Sequence, residues 1–241
     1  MDEARAKQLG AGSGHYTAFV GPPKQYDFMG ATQFRLLCAL GLRDVHRVLD
    51  FGCGSLRAGR LLIPYLLPDR YFGIEPNSWL IEDAIERQIG ADMVRIKRPQ
   101  FSDSDAFTAN VFAEKFDFIL AQSVFSHTGP ALASQILTSF AEKLHPEGIC
   151  AVTFIKGGKG AVAEGWKYPG CVKYPDATIK ALVEGAGLES IPIPWYHPRQ
   201  SWFLLALQKS ALPAAKDVHL LDGAVLRAPE FAASVRREFA A

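Results

Sequence analysis

Two stretches of this chain bring together residue types that do chemistry. In Val48-Leu49-Asp50-Phe51-Gly52-Cys53-Gly54 a short apolar run ends in an acidic residue and two alternating glycines. Glycine has no Cβ to hold a ligand away, so Gly52 and Gly54 let the backbone turn tightly and approach one closely. Glu75 follows about twenty residues later, where a carboxylate can accept hydrogen bonds from both hydroxyls of a ribose. The rival reading makes Glu75 a carboxylate at the positive end of a helix dipole, since Pro76 and Asn77 open the next helix. The second stretch, Gln122-Ser123-Val124-Phe125-Ser126-His127, ends in a histidine, whose ordinary pKa suits a general base near neutral pH. His127 is either that base or a wall group bonded to backbone. His197, in Tyr196-His197-Pro198-Arg199-Gln200, is a second candidate base, with a polar hairpin loop as its alternative.

Spacing narrows the ligand. A dinucleotide fingerprint needs G-x-G-x-x-G, and Arg57 stands where its third glycine belongs. A carboxylate at Asp50 is also ill placed beside a diphosphate, and suits a ligand carrying an ammonium group. Asp50-Phe51-Gly52-Cys53-Gly54 resembles the first motif of the class I S-adenosylmethionine-dependent methyltransferases, usually D-x-G-x-G-x-G, with Leu56 in place of the last glycine. The resemblance spans residues 45–208 and implies S-adenosylmethionine as cofactor. It places Asp50, Gly52, Cys53, Gly54, Glu75 and Pro76 in the cofactor pocket, and Arg57 on the methionine carboxylate unless it is a solvated helix end. Asp103 or Asp105 would meet the adenine amino group or simply cap a turn. Gln122 and Ser123 close a strand facing the same crevice, and the segment to His127 resembles that of small-molecule methyltransferases.

The elements that must position these groups follow from periodicity. Strands are expected over residues 46–51, 70–74, 93–96, 116–123 and 149–155, with a closing antiparallel pair at 188–195 and 201–208. Helices are expected over 31–42, 58–67, 77–90, 130–144 and 175–187, and His145-Pro146-Glu147-Gly148 reads as a turn. Helices alternating with strands predict a doubly wound α/β fold. The resemblance adds a mostly parallel seven-stranded sheet with an antiparallel final strand. Residues 1–44 are expected to form an N-terminal arm and packing helix, 45–209 the S-adenosylmethionine-binding methyltransferase domain that the resemblance implies, and 210–241 a C-terminal extension. In the arm, Tyr16 stands out as a lid or acceptor-contacting residue, against a surface wrap held by Phe19 and Phe28. Between Lys156 and Tyr174 glycines alternate with Lys159, Trp166, Lys167, Tyr168 and Lys173. This segment is either an aromatic and basic acceptor loop, with Trp166 and Tyr168 stacking on a ring, or a disordered connection.

Composition bounds the partners. The 241 residues carry a net charge of +1, too weak a field to gather the chain on nucleic acid. The [DNS]-P-P-[FYW] motif of base amino-methyltransferases is also absent from Ala121-Gln122-Ser123-Val124. Cys38, Cys53, Cys150 and Cys171 have no metal-ligand or disulfide spacing, which points to free thiols, no metal, and a reducing cytoplasm. No segment reads as a signal peptide or membrane span. The expected reaction is methyl transfer to a small-molecule or sugar-type (glycan) acceptor, at oxygen, with the C-terminal extension a possible homo-oligomer contact. The alternatives are a non-catalytic S-adenosylmethionine-binding regulator or scaffold, a protein side-chain methyltransferase, and an NAD-dependent oxidoreductase.

Overall fold

The computed structural model describes residues 3–158 and 164–223. The chain divides between Asp105 and Ala106 into two compact units. Seven strands share one sheet: β1 Val48–Phe51, β2 Tyr71–Ile74, β3 Gln100–Ser102, β4 Phe116–Ala121, β5 Leu144–Phe154, β6 Glu189–Ile193 and β7 Ser201–Ala206, in the order β3-β2-β1-β4-β5-β7-β6. β1 with β2, β2 with β3, and β4 with β5 are parallel, whereas β7 runs antiparallel to both β5 and β6. This is the expected doubly wound, mostly parallel sheet with an antiparallel final strand. All residues of β1 and β2 are buried, as strands covered on both faces must be.

In the first unit, α1 Glu3–Ala6, α2 Tyr16–Phe19 and α3 Tyr26–Ala39 precede the sheet. The N-terminal arm is thus partly helical, and the helix expected over 31–42 already starts at Tyr26. α4 Gly59–Tyr65 and α5 Ser78–Ala84 follow β1 and β2, and α5 runs on into a wider π-type turn, Ile85–Ile89. The expected strand at 93–96 is instead α6 Ala91–Lys97. Four apolar-leaning residues have no period of their own. What decides is Asp92 in the first turn with Arg95 and Lys97 in the last, charges that match the helix dipole. The third strand forms after Arg98 takes a left-handed turn, φ 47°.

In the second unit, α7 Pro130–Lys143 starts with proline at its first turn, where no N–H is needed, and buries Ala133, Ile136, Leu137 and Phe140 at helical spacing. The expected turn at His145–Gly148 is a bulge inside β5, because the register passes from Phe116↔Leu144 to Phe118↔Ile149. Gly148 is required there: a Cβ would lie 2.9 Å from the Phe116 carbonyl oxygen. α8 Asp176–Gly185 leads to the β6–β7 pair.

Candidate active site

The turn after β1 alternates left-handed backbone at Gly52 (φ 72°), Gly54 (φ 53°) and Leu56 (φ 54°). Leu56 therefore adopts a left-handed conformation that favours glycine. Left-handed backbone costs an L-residue roughly 1–2 kcal/mol, and burying a leucine side chain returns about as much. Leu56 is fully buried, against Gly59.

β1, β2 and β3 are in register at Phe51, Ile74 and Ser102, so the residues that follow them share one edge of the sheet. Gly52 and Cys53 donate their backbone N–H groups to the Ile74 carbonyl, and Glu75 donates its own to Ser102. The Glu75 carboxylate, 8% exposed, then ties the turn together. Its Oε2 accepts the Gly54 N–H at 3.1 Å, and its Oε1 accepts the backbone and side-chain N–H groups of Asn77 at 2.9 and 2.7 Å. Oε2 retains a lone pair, enough for one ligand hydroxyl without displacing a protein donor. Pro76 is exposed beside it.

Asp50 is buried and accepts the Tyr71 hydroxyl at 2.8 Å. Burial pushes its carboxyl up to about 6, against the Tyr71 hydrogen bond and the Arg57 charge, with Glu75 adding a smaller upward push. Among the described residues Asp50 forms no ion pair, and an ammonium group of a ligand would supply a close cation. Burial first, then the Asp50 and Glu75 charges, keep the Cys53 thiol protonated.

Of the other expected cofactor and acceptor residues of this unit, Arg57 and Tyr16 take hydrogen-bond partners within the protein. Arg57 donates Nη1 to the Val20 carbonyl at 3.0 Å and Nε to Gln33 at 3.3 Å, so its bonds hold the arm. Tyr16 is buried with Tyr26 and Leu80, packed by Phe19, Val20 and Trp79, and accepts the Gln88 amide at 2.9 Å. Tyr26 donates to the Ser55 carbonyl at 2.7 Å, and a Cβ on Gly54 would come 2.6 Å from Val20. The arm is thereby seated on the glycine turn. Asp103 and Asp105 are both exposed after β3.

In the second unit β4 ends at Ala121, and Gln122 and Ser123 follow. Gln122 is buried with its Oε1 accepting no hydrogen bond among the described residues; the same holds for Ser126 Oγ and Gln200 Oε1. Ser123 has a left-handed backbone, φ 64°, and donates its N–H to Thr153 Oγ1 at 2.8 Å, while its hydroxyl accepts the Gln200 amide at 2.8 Å.

His127 Nδ1 lies 2.6 Å from the Gly170 carbonyl oxygen. A carbonyl only accepts, so Nδ1 carries the proton and Nε2 of the neutral ring presents a lone pair. Burial lowers the His127 pKa from its ordinary 6.5, the Gly170 bond opposes this, and the Arg199 charge lowers it further. Trp166 and Tyr168 stand 5.5 and 5.0 Å from the imidazole, centroid to centroid, and Phe107 lies 5.4 Å from Trp166. The described part of the glycine-rich segment is stitched to residues 126–129: Lys167 N–H donates to His127 C=O, Gly129 N–H to Gly165, Val172 N–H to Ser126, and the Tyr174 hydroxyl to Thr128. Lys159 and Gly160 lie outside the described residues.

His197 is buried, and its Nδ1 accepts the backbone N–H groups of Arg199 at 3.2 Å and Gln200 at 3.0 Å, holding the hairpin turn. Trp202, which follows the same hairpin turn, is fully buried in the core. Gln200, Thr153 and Phe107 join this site without a sequence signal, because each reaches it only through the pairing of distant segments. Among the described residues no His, Cys, Asp and Glu group could hold a metal ion, and no helix is long and apolar enough to cross a membrane.

Residues 49–150 match the family model of a methyltransferase domain. No curated protein matches the sequence. Among solved structures, the magnesium protoporphyrin IX methyltransferase of Synechocystis with bound S-adenosylmethionine aligns with a TM-score of 0.58 at 13% identity, over 86% of this chain and 90% of that one. A glycopeptide N-methyltransferase aligns at 0.57 and 10%, over 74% and 90%. A methyltransferase of Streptomyces caelestis aligns at 0.57 and 14%, over 77% and 96%. A metalloporphyrin and a glycopeptide are named for two of these folds, so the fold leaves the acceptor open.

Proposed function

Because residues 49–150 match a methyltransferase-domain model, we propose that this chain is a class I S-adenosylmethionine-dependent methyltransferase and that it methylates a hydroxyl of a small-molecule or sugar-type acceptor. The observation that carries the choice of oxygen is the Nδ1–H···O=C bond from His127 to Gly170, which leaves Nε2 unprotonated and able to take a hydroxyl proton. S-adenosylmethionine, when bound, supplies an electrophilic methyl: the acceptor oxygen's electron pair forms the O–C bond as the C–S bond breaks, S-adenosylhomocysteine leaves, and one proton is released.

The chain's residues position and neutralise. Glu75 Oε2 accepts a ribose hydroxyl, Asp50 opposes the ammonium, and Gly52, Cys53 and Gly54 offer backbone that a ligand can approach. Gln122 Oε1 and Ser123 offer polar groups after β4, and His127 Nε2 receives the proton. Arg57 and Tyr16 act through the arm, and His197 through its hairpin. The free cysteines suit a reducing cytoplasm. The homo-oligomer contact expected in the C-terminal extension falls largely on residues 224–241, outside the described residues.

Thermal unfolding with S-adenosylmethionine, S-adenosylhomocysteine and NAD tests the cofactor. A ligand at a hundred times its dissociation constant adds about 2.7 kcal/mol. The two sulfur ligands are expected to stabilise the protein and NAD not, with the gain largely lost in Glu75→Ala. Methyl transfer assays with sugars and hydroxylated rings then test the acceptor.

A further inference from the structure

The second unit has features that the proposed reaction alone does not explain. Trp166 is 44% exposed although it packs against Phe107 and lies nearly parallel to Tyr168, at 19°. Burying such a ring would be favourable, yet the hydrogen bonds on either side of it, from Gly129 N–H to the Gly165 carbonyl and from Lys167 N–H to the His127 carbonyl, hold it at the surface beside the imidazole. Arg199 is exposed and has no carboxylate partner among the described residues, whereas nearby Lys156 is paired with Asp176 at 3.2 Å. The Arg199 segment is fixed to the β4 end by the Gln200 amide on Ser123, and its own turn is held by His197 Nδ1, which accepts the Arg199 and Gln200 N–H groups. Its charge reaches His127. Gln200 is buried, and its Oε1 accepts nothing among the described residues. Residues 123–129, 164–174 and 195–200 together contain Lys167, Lys173 and Arg199 against a single carboxylate, Glu164.

Resting on the methyltransferase reading, we infer that the acceptor is an aromatic ring bearing a carboxylate, stacked on Trp166, its carboxylate paired with Arg199 and a donor hydrogen read by Gln200. A guanidinium presents a planar fork that matches a planar carboxylate. Aromatic rings favour an offset stack on another ring. A sugar is a poorer fit, because it shows a hydroxyl on most carbons, while Phe107, Trp166 and Tyr168 present mainly apolar faces.

The test is calorimetric binding to the full chain saturated with S-adenosylhomocysteine, with 3,4-dihydroxybenzoate, catechol and glucuronate as probes. The aromatic acid is expected to bind at least tenfold more tightly than either other probe. Arg199→Gln should erase its advantage over catechol. Trp166→Leu should weaken the acid and catechol alike, and Gln200→Met should weaken the acid about tenfold. Equal binding of acid and catechol, binding of none, or discrimination that survives Arg199→Gln overturns the inference. Tighter binding of glucuronate overturns the ring and keeps the anion. Arg199 is exposed, and the melting shift with S-adenosylhomocysteine reports the folded state of each variant. Loss of that shift in the unaltered chain would instead overturn the methyltransferase reading, so the two failures are distinguishable.

Discussion

The turn after β1 and the segments around His127 are built on opposite plans. The first is local: Asp50, Gly52, Gly54 and Leu56 lie within one turn, and Glu75 is brought to it by the parallel register of neighbouring strands. The second is assembled from residues 122–127, 165–174 and 197–200, joined by backbone hydrogen bonds that no short motif encodes. A ligand common to a whole family can be served by a fixed backbone shape. A ligand particular to one member is served by side chains on loops, which change without disturbing the sheet.

Substitutions in one region should therefore leave the other's function intact. The largest effect is expected from His127→Gln, which should lower kcat about 10²–10⁴-fold, the usual contribution of a positioned base, with the melting shift from S-adenosylmethionine unchanged. In the unaltered protein the rate should rise with pH through a value below 6.5 and be flat above it, because the neutral ring is the active form and burial holds its pKa down. A rate still climbing above pH 8 would remove His127 as the base.

Asp50→Asn acts on the first region alone. A carboxyl raised from 3.8 to about 6 in the fold binds more protons folded than unfolded. Its contribution to stability thus falls as pH rises from about 4 to about 6 and stays low above that. Removing the charge should stabilise the ligand-free protein at pH 8 by up to about 3 kcal/mol, with little gain at pH 3.5, and should weaken S-adenosylmethionine. Denaturant unfolding at the two pH values measures the first part. Gly54→Ala should cost about 1–3 kcal/mol, from left-handed backbone and the 2.6 Å approach to Val20, and should weaken the cofactor while leaving acceptor affinity unchanged.

Legibility in the sequence follows the same division. The alternation of strands and helices and the glycine turn can be read because period and backbone angle are local properties, whereas the mostly parallel sheet comes only from the resemblance. The edge strand was misplaced because Met93-Val94-Arg95-Ile96 is too short to have a period, and charges at both ends of α6 decide for the helix. Arg57 reads as a ligand contact by type and place, and its protein partners, Val20 and Gln33, precede it by many residues, so its tie to the arm is not legible in the sequence. Gln200 could not be read at all: its importance lies in an unmatched oxygen, visible only when its neighbours are in place.

The seat of Val20 on Gly54 has an evolutionary consequence. The glycine motif would impose selection on a residue in the arm that no motif search covers. A larger side chain at position 20 would push the turn off its path, and a smaller one would leave a void above it. Across relatives that keep this arm, position 20 should vary in volume far less than its place in a loop-rich terminus suggests, and drift there should coincide with a rebuilt turn.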